Sequence, residues 1–441
     1  MHVSSMSLLP SCSWLAIVLI SLLLISRPGT VAGDGQPPSK PIVTPITRDP
    51  STSLYTIPVK NGIPLVLDLA GSLVWSTCQQ QGHRTIPCKS SACKVANRNR
   101  PASCASAANG GNADDPHCAC TTYPYNPVSG HCGNGDLTVV PLAANATDGK
   151  RPLFPVSFNA LGSCAPDGLL ESLPSGAAGV AGLSRLPLSL PSQVASKLKV
   201  AKQFALCLPS GDGGQTGAAV FGGGPFQLMA NWPPPSDLAE ELRRGSLPLV
   251  KNPKNKGAYY FRVHGIAVNE ELVPLAPGAL DLDARSGRGG VVFSTVTPYT
   301  TLRSDIFNAL IAAFDRATSR IPRRKPPPPN NLCFEASGFS WNALGPGVAI
   351  IDLMLDNQRN WSLPGVSSLV QVSGDTLCFA FQNMGSPASE APDAPAIIFG
   401  THQMVNNLVQ FDLEKNTFGF SGLLNGRRTQ CGRFDFNMGT S

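Results

Sequence analysis

The chain has 441 residues, room for two or three domains at roughly 100–200 residues each. Hydrophobic residues make up 42% and charged residues 14%, which excludes a wholly disordered chain and permits a large buried core. The net charge of +6 is mild, and nothing in its distribution argues for a nucleic-acid partner; the one basic run, Arg323-Arg324-Lys325 before four prolines, reads as an exposed loop.

Residues 14–25 are apolar except for Ser21 and are followed by small residues at 30–33. A run this short falls below the roughly 20 residues of a membrane span and fits the apolar core of a signal peptide, assigned to residues 1–32. The flank before it lacks Lys and Arg and offers only His2, so an uncleaved anchor is the alternative. No later stretch is apolar enough to span a bilayer, so the expected mature form is secreted and membrane-free. Residues 33–52 read as a polar, proline-rich leader.

Short apolar runs broken by turns then predict strands at 54–59, 64–75, 136–142 and 153–158. Scattered Gly (43) and Pro (41) suit such an all-β chain. A helix is predicted over 191–200, with Pro191 at its first position, and a second from Ser304, with Ile306, Leu310, Ala313 and Phe314 on one face. Prolines at 233–235 and a polar run to Arg244 mark a boundary between an N-terminal lobe (53–240) and a C-terminal lobe (245–441). Strand text resumes at 258–268, and 408–421 reads as a hairpin turning at Glu-Lys-Asn. Each half closes with an apolar-apolar-Gly element, AAGVAGL (177–183) in the first and AIIFG (396–400) in the second.

Beyond Cys12 in the signal, twelve cysteines remain: Cys78, Cys88, Cys93, Cys104, Cys118, Cys120, Cys132, Cys164, Cys207, Cys333, Cys378 and Cys431. An even count behind a signal peptide predicts six disulfides. Six of these cysteines crowd into an insert at 88–132, and their fifteen possible connectivities stay open. His83, His117 and His131 raise zinc as a rival, but the oxidising context favours disulfides; no metal or cofactor is expected. Asn145 and Asn360 lie in glycosylation sequons.

The run LVLDLAG (65–71) followed by SLVW delivers a carboxylate, Asp68, from a strand into a turn that Gly71 lets bend sharply. Here the chain resembles the pepsin-like aspartic proteases. It looks most similar to the plant branch of TAXI-type xylanase inhibitors, extracellular dermal glycoproteins and basic 7S globulins. Matching text includes SLYTIPVKNGIPLVLDLAGSLVWSTC (53–78), YPYNPVSGHC (123–132), GVAGLSRLPLSLPSQVA (179–195), FGGGP (221–225), YYFRVHGIAV (259–268), GGVVFSTVTPYTTL (289–302) and FDLEKNTFGFS (411–421). The resemblance implies an all-β, bilobal pepsin-like fold with few helices. It also implies the pairs Cys207 with Cys431 and Cys333 with Cys378.

Aspartic proteolysis needs two carboxylates about 3 Å apart sharing one proton. By the resemblance the first is Asp68, while Ser294-Thr295-Val296 stands where the second Asp turn belongs. Asp281 and Asp283 lie eleven or more residues upstream and cannot replace it. Leu69 also loses the hydroxyl that in active members helps lock the two turns together. Asp68 is thus vestigial, and no catalytic residue is expected. Tyr123 and Tyr125 fall in the region of the flap but read as strand residues, and Trp75 and Phe293 as core.

The xylanase inhibitors of this branch insert a histidine, just before the last cysteine, between the two carboxylates of a microbial endoxylanase. Here the loop reads Ser421-Gly-Leu-Leu-Asn-Gly-Arg-Arg-Thr-Gln-Cys431, with Asn425 at that position. Leu424, Asn425, Arg427 and Arg428 are therefore the target-binding candidates; an arginine can hold a carboxylate bidentately, but both also fit as solvated loop charges. The implied function is a monomeric inhibitor of a microbial glycoside hydrolase in plant cell-wall defence. An aspartic endopeptidase with an atypical site and a binding or storage glycoprotein like the 7S globulins are the alternatives.

Overall fold

The computed structural model describes residues 40–78, 83–104, 118–147, 153–226, 228, 238–385, 393–434 and 436. The signal peptide, residues 33–39 of the leader and His117 lie outside the described residues. Pairing starts earlier than the sequence suggests. Ile42–Arg48, placed in the leader by its prolines and polar neighbours, is a strand that pairs with Gly217–Phe221, with Tyr55–Lys60 and with Gly135–Ala146. Its Ile42, Val43, Thr44 and Ile46 are buried, a run on both faces that shows no period-two alternation in the sequence.

Strands Tyr55–Lys60, Ile63–Asp68 and Val74–Thr77 follow as expected, as do Gly135–Ala146 and Phe154–Ala165, which form a long hairpin. The two closing elements have the same job in each half. Gly179–Gly182 runs parallel to the strand ending at Asp68, and Ile397–Phe399 runs parallel to Val291–Phe293, the strand before Ser294. The predicted helices are Leu190–Leu198 and Ser304–Ala317; the second buries Ile306, Leu310 and Phe314, with Phe307 beside them. Four helices among the described residues were not anticipated, two of them the single turns Gly365–Ser368 and Thr401–Met404. Ser91–Arg98, capped by the Ser90 side chain, lies inside the cysteine-rich insert, and Ala239–Arg244 occupies the polar run read as a boundary. Arg323–Arg324, read as loop, forms a short strand against Cys333–Glu335.

All twelve cysteines pair. The bridges are Cys78–Cys164, Cys88–Cys118, Cys93–Cys120, Cys104–Cys132, Cys207–Cys431 and Cys333–Cys378. Both pairs implied by the resemblance are present, and three bridges staple the insert. Among the described residues no group of three or more His, Cys, Asp or Glu could hold a metal, and no helix is long and apolar enough to cross a membrane.

The halves are sewn together by backbone and by aromatic packing. Gln203–Cys207 pairs with Asn407–Asp412 from the far end of the chain, Phe204 opposite Phe411. Those two rings stack at 5.0 Å, and Phe411 also meets Tyr259 at 4.6 Å and Phe293 at 5.4 Å. Tyr259 is fully buried and donates its hydroxyl to the Leu183 carbonyl at 2.6 Å, across the halves. Phe411→Ala is expected to cost about 3–5 kcal/mol, as truncation of a buried phenylalanine does. Urea denaturation followed by tryptophan fluorescence measures it; a loss below about 1 kcal/mol would mean that the seam is not a keystone.

Candidate functional site

Two turns, one from each half, meet at the floor of a cleft of about 790 Å³. In the first, Asp68 ends its strand, is 4% exposed, and accepts the Ala70 amide on Oδ1 at 2.9 Å. In the second, Ser294 follows Val291–Phe293 and its Oγ accepts the Val296 amide at 3.3 Å. The two turns therefore share the same bond from the amide two residues on. The Ser294 hydroxyl is directed to Thr297 Oγ1 at 2.9 Å. Asp283 caps its own turn through the Arg285 and Ser286 amides, and neither it nor Asp281 lines the cleft.

The hydroxyl lost at Leu69 is only half of the lock. Thr295, 1% exposed, donates to the Leu67 carbonyl at 2.7 Å and accepts the Leu69 amide at 3.1 Å, so one side chain bridges both turns. The sequence carried that signal in the Ser294-Thr295-Val296 triplet. Gly71 also serves differently from expectation. Its backbone is not left-handed; a Cβ there would sit 2.7 Å from the Gly182 Cα, so its role is close packing of the turn on the parallel strand.

The cleft walls are built by the insert and by the start of the second half. Tyr123, Tyr125 and Trp75 all line it, and the buried Trp75 indole donates to the Tyr125 carbonyl at 2.9 Å. Phe293 is core, stacked on Phe261 at 4.3 Å. Four cations that sequence reading passed over also line it: Arg98 and Arg100 at the end of the stapled helix, Lys254 and Lys256 from the second half.

Outside the cleft, the loop before Cys431 is a single turn of helix, Leu424–Arg427, that sorts the four candidate residues. Leu424 is fully buried and cannot touch a partner. Asn425 is half-buried, with its Oδ1 enclosed and unbonded. Arg427 is already engaged, its guanidinium forking onto Glu241 at 2.6 and 2.5 Å, and this hydrogen-bonded pairing holds the Glu241 carboxyl below its usual range. Arg428 remains exposed, with a left-handed backbone (φ 56°) and no ion pair among the described residues. Beside this loop stands a hairpin that the sequence did not flag. A side chain at Gly426 would touch Leu344 at 3.7 Å, and Trp341 at the same hairpin is 57% exposed. Of the sequon asparagines, Asn360 is exposed and Asn145 half-buried.

Comparison with known proteins bears on the family and the fold. Residues 55–223 match the family described as xylanase inhibitor, N-terminal, and residues 258–422 its C-terminal counterpart. The chain belongs to the TAXI-type xylanase-inhibitor family of pepsin-like proteins. It is 45% identical over 434 residues to a rice (Oryza sativa subsp. japonica) protein named chitinase CLP, spanning 96% of this chain and 98% of the relative. Gamma conglutin 1 of Prunus dulcis is 33% identical, over 96% and 95% of the two chains. The crystal structure titled edgp superposes with a TM-score of 0.80 at 29% identity, covering 91% of this chain and 99% of the other.

Burial pushes the Asp68 carboxyl up to about 6, against the opposing pull of the Ala70 and Gly71 amides. A folded-state value above the unfolded one means that stability is greatest below the unfolded value near 3.8 and falls as pH rises through 6. A shift of about two units corresponds to at most about 3 kcal/mol. Asp68→Asn keeps an acceptor for Ala70 and is expected to stabilise the protein by up to about 3 kcal/mol at pH 7.5 and negligibly at pH 3.5. Denaturation midpoints at the two pH values measure this; an equal gain at both would remove Asp68 titration as the cause.

Proposed function

We propose that this chain is a secreted, proteolytically inactive member of its family that inhibits a microbial glycoside hydrolase through the loop before Cys431. The observation that carries this reading is Arg428, the one candidate that is both exposed and free of an ion pair among the described residues. Its loop is pre-ordered by the Leu424 anchor, the Arg427–Glu241 fork and the Cys207–Cys431 bridge, so little ordering entropy is lost on docking. Glycoside hydrolases carry two carboxyl groups across their cleft. An always-charged guanidinium can hold such a carboxylate where related inhibitors use a histidine. The exposed Trp341 beside the loop supplies an aromatic anchor of the kind that dominates interfaces.

The purified protein titrated against a panel of microbial endoxylanases is expected to inhibit at least one stoichiometrically. Arg428→Ala should weaken that inhibition tenfold or more, whereas Arg98→Ala should not. A panel without any inhibited member, or an Arg428→Ala protein of full potency, would refute the assignment.

Inactivity as a protease rests on Ser294 standing in for the second aspartate, a reading supported by the matching amide bonds in the two turns. Ser294→Asp alone is expected to give no cleavage of a denatured protein substrate at pH 3–5. Leu69 lacks the second bridging hydroxyl and Val296 adds bulk where active members have glycine. Measurable, pepstatin-sensitive cleavage by this single variant would show the turns to be intact.

A second reading has one observation in its favour, the name chitinase given to the rice relative. Glycoside hydrolysis pairs two carboxyl groups. Asp68 has the raised value of a general acid, and the other acid among the described residues of the cleft is the exposed Asp393. Release of sugar from chitin oligomers by the wild type, lost in Asp68→Asn, would select this reading; no release would dismiss it.

A further inference from the structure

We infer that the cleft between the halves is a binding site for an acidic oligosaccharide, one bearing carboxylates along its length, independent of the loop at Arg428. The walls carry two basic pairs at spacing two, one on each side: Arg98 and Arg100 where the stapled helix ends, Lys254 and Lys256 in the turn opening the second half. Arg98, Lys254 and Lys256 are exposed and make no ion pair among the described residues, and Arg100 lies over the Tyr123 ring at 4.7 Å. Among the described residues the acids on the lining are Asp68, sealed in the floor, and Asp393 at the rim. A concave surface with low-dielectric walls and an excess of one sign concentrates ligands of the opposite sign.

Between the cations the lining is neutral and rich in hydroxyls and amides: Ser72, Asn99, Ser103, Asn255, Ser294 and Thr297. Such groups suit the hydroxyls of a sugar, and the half-exposed Tyr125 offers a ring for a sugar face. An extended peptide is served less well. It needs free backbone groups along a strand edge, and here the Tyr125 carbonyl is taken by the Trp75 indole. The flap segment itself is fastened, by the Cys104–Cys132 bridge and by the Asn126 amide bonded to the His131 carbonyl at 2.9 Å. The frame is thus pre-formed and open to a stiff, charged polymer rather than shaped to clamp a flexible one.

The test uses the full secreted chain and a fluorescently labelled oligogalacturonate about ten sugars long. Binding is expected by anisotropy at low salt and should weaken at least tenfold between 50 and 300 mM NaCl, since screening removes the attraction of exposed charges. Lys254→Ala/Lys256→Ala and, separately, Arg98→Ala should each weaken binding at least fivefold, Asp393→Asn should tighten it, and Arg428→Ala should leave it unchanged. Because Arg428→Ala alone affects hydrolase inhibition, failure of one proposal leaves the other standing. The inference is overturned if the rim variants bind as the wild type does. It also fails if neutral xylo-oligosaccharide competes equally, or if a glutamate-rich peptide of the same charge binds more tightly than the uronate.

Discussion

The position of the two halves depends on one hydroxyl. Thr295 reaches from the second turn to the carbonyl and amide flanking Asp68, satisfying one donor and one acceptor that would otherwise be buried unpaired. Because both atoms belong to backbone, the bond holds the turns themselves rather than any side chain upon them. Around it the aromatic seam of Phe204, Tyr259, Phe293 and Phe411 excludes water and the strand pairing of Gln203–Cys207 with Asn407–Asp412 sets the register. The cleft follows from this join: its floor is the join, and its walls are whatever the two halves carry above it.

Much of this was legible in the residues. The strand-to-Asp turn, the paired closing elements and the two longer helices follow from hydrophobic period and from Pro and Gly placement, which are local properties. The strand Ile42–Arg48 escaped because its buried run has no period-two pattern and contains Thr44 and Pro45, and its partners lie as far away as Gly217–Phe221. The helix Ala239–Arg244 escaped because only Leu242 is strongly buried and its charged face reads as linker. Neither failure is one of propensity; each element is stabilised by contacts that no short window contains.

The candidate site divides in the same way. That Asp68 ends a strand at a turn and that Ser294 follows the strand Val291–Phe293 was visible in the text, since both are local. Which of two adjacent arginines lacks an ion pair among the described residues was not. Arg427 and Arg428 are alike in sequence, and the difference comes from Glu241, 186 residues distant, and from a backbone that turns left-handed at Arg428. The basic lining of the cleft was invisible for a related reason, since Arg98 and Lys254 are brought together by the fold and belong to no shared motif.

The bridge between Cys207 and Cys431 has a topological consequence. It joins positions 224 residues apart and so makes most of the second half, and the connection leading to it, a covalent ring. A single peptide cut anywhere between these cysteines opens the ring without releasing a piece, and the seam strands on either side of the cut stay tethered. The chain can thus be nicked once between these cysteines and still keep its two halves in one body.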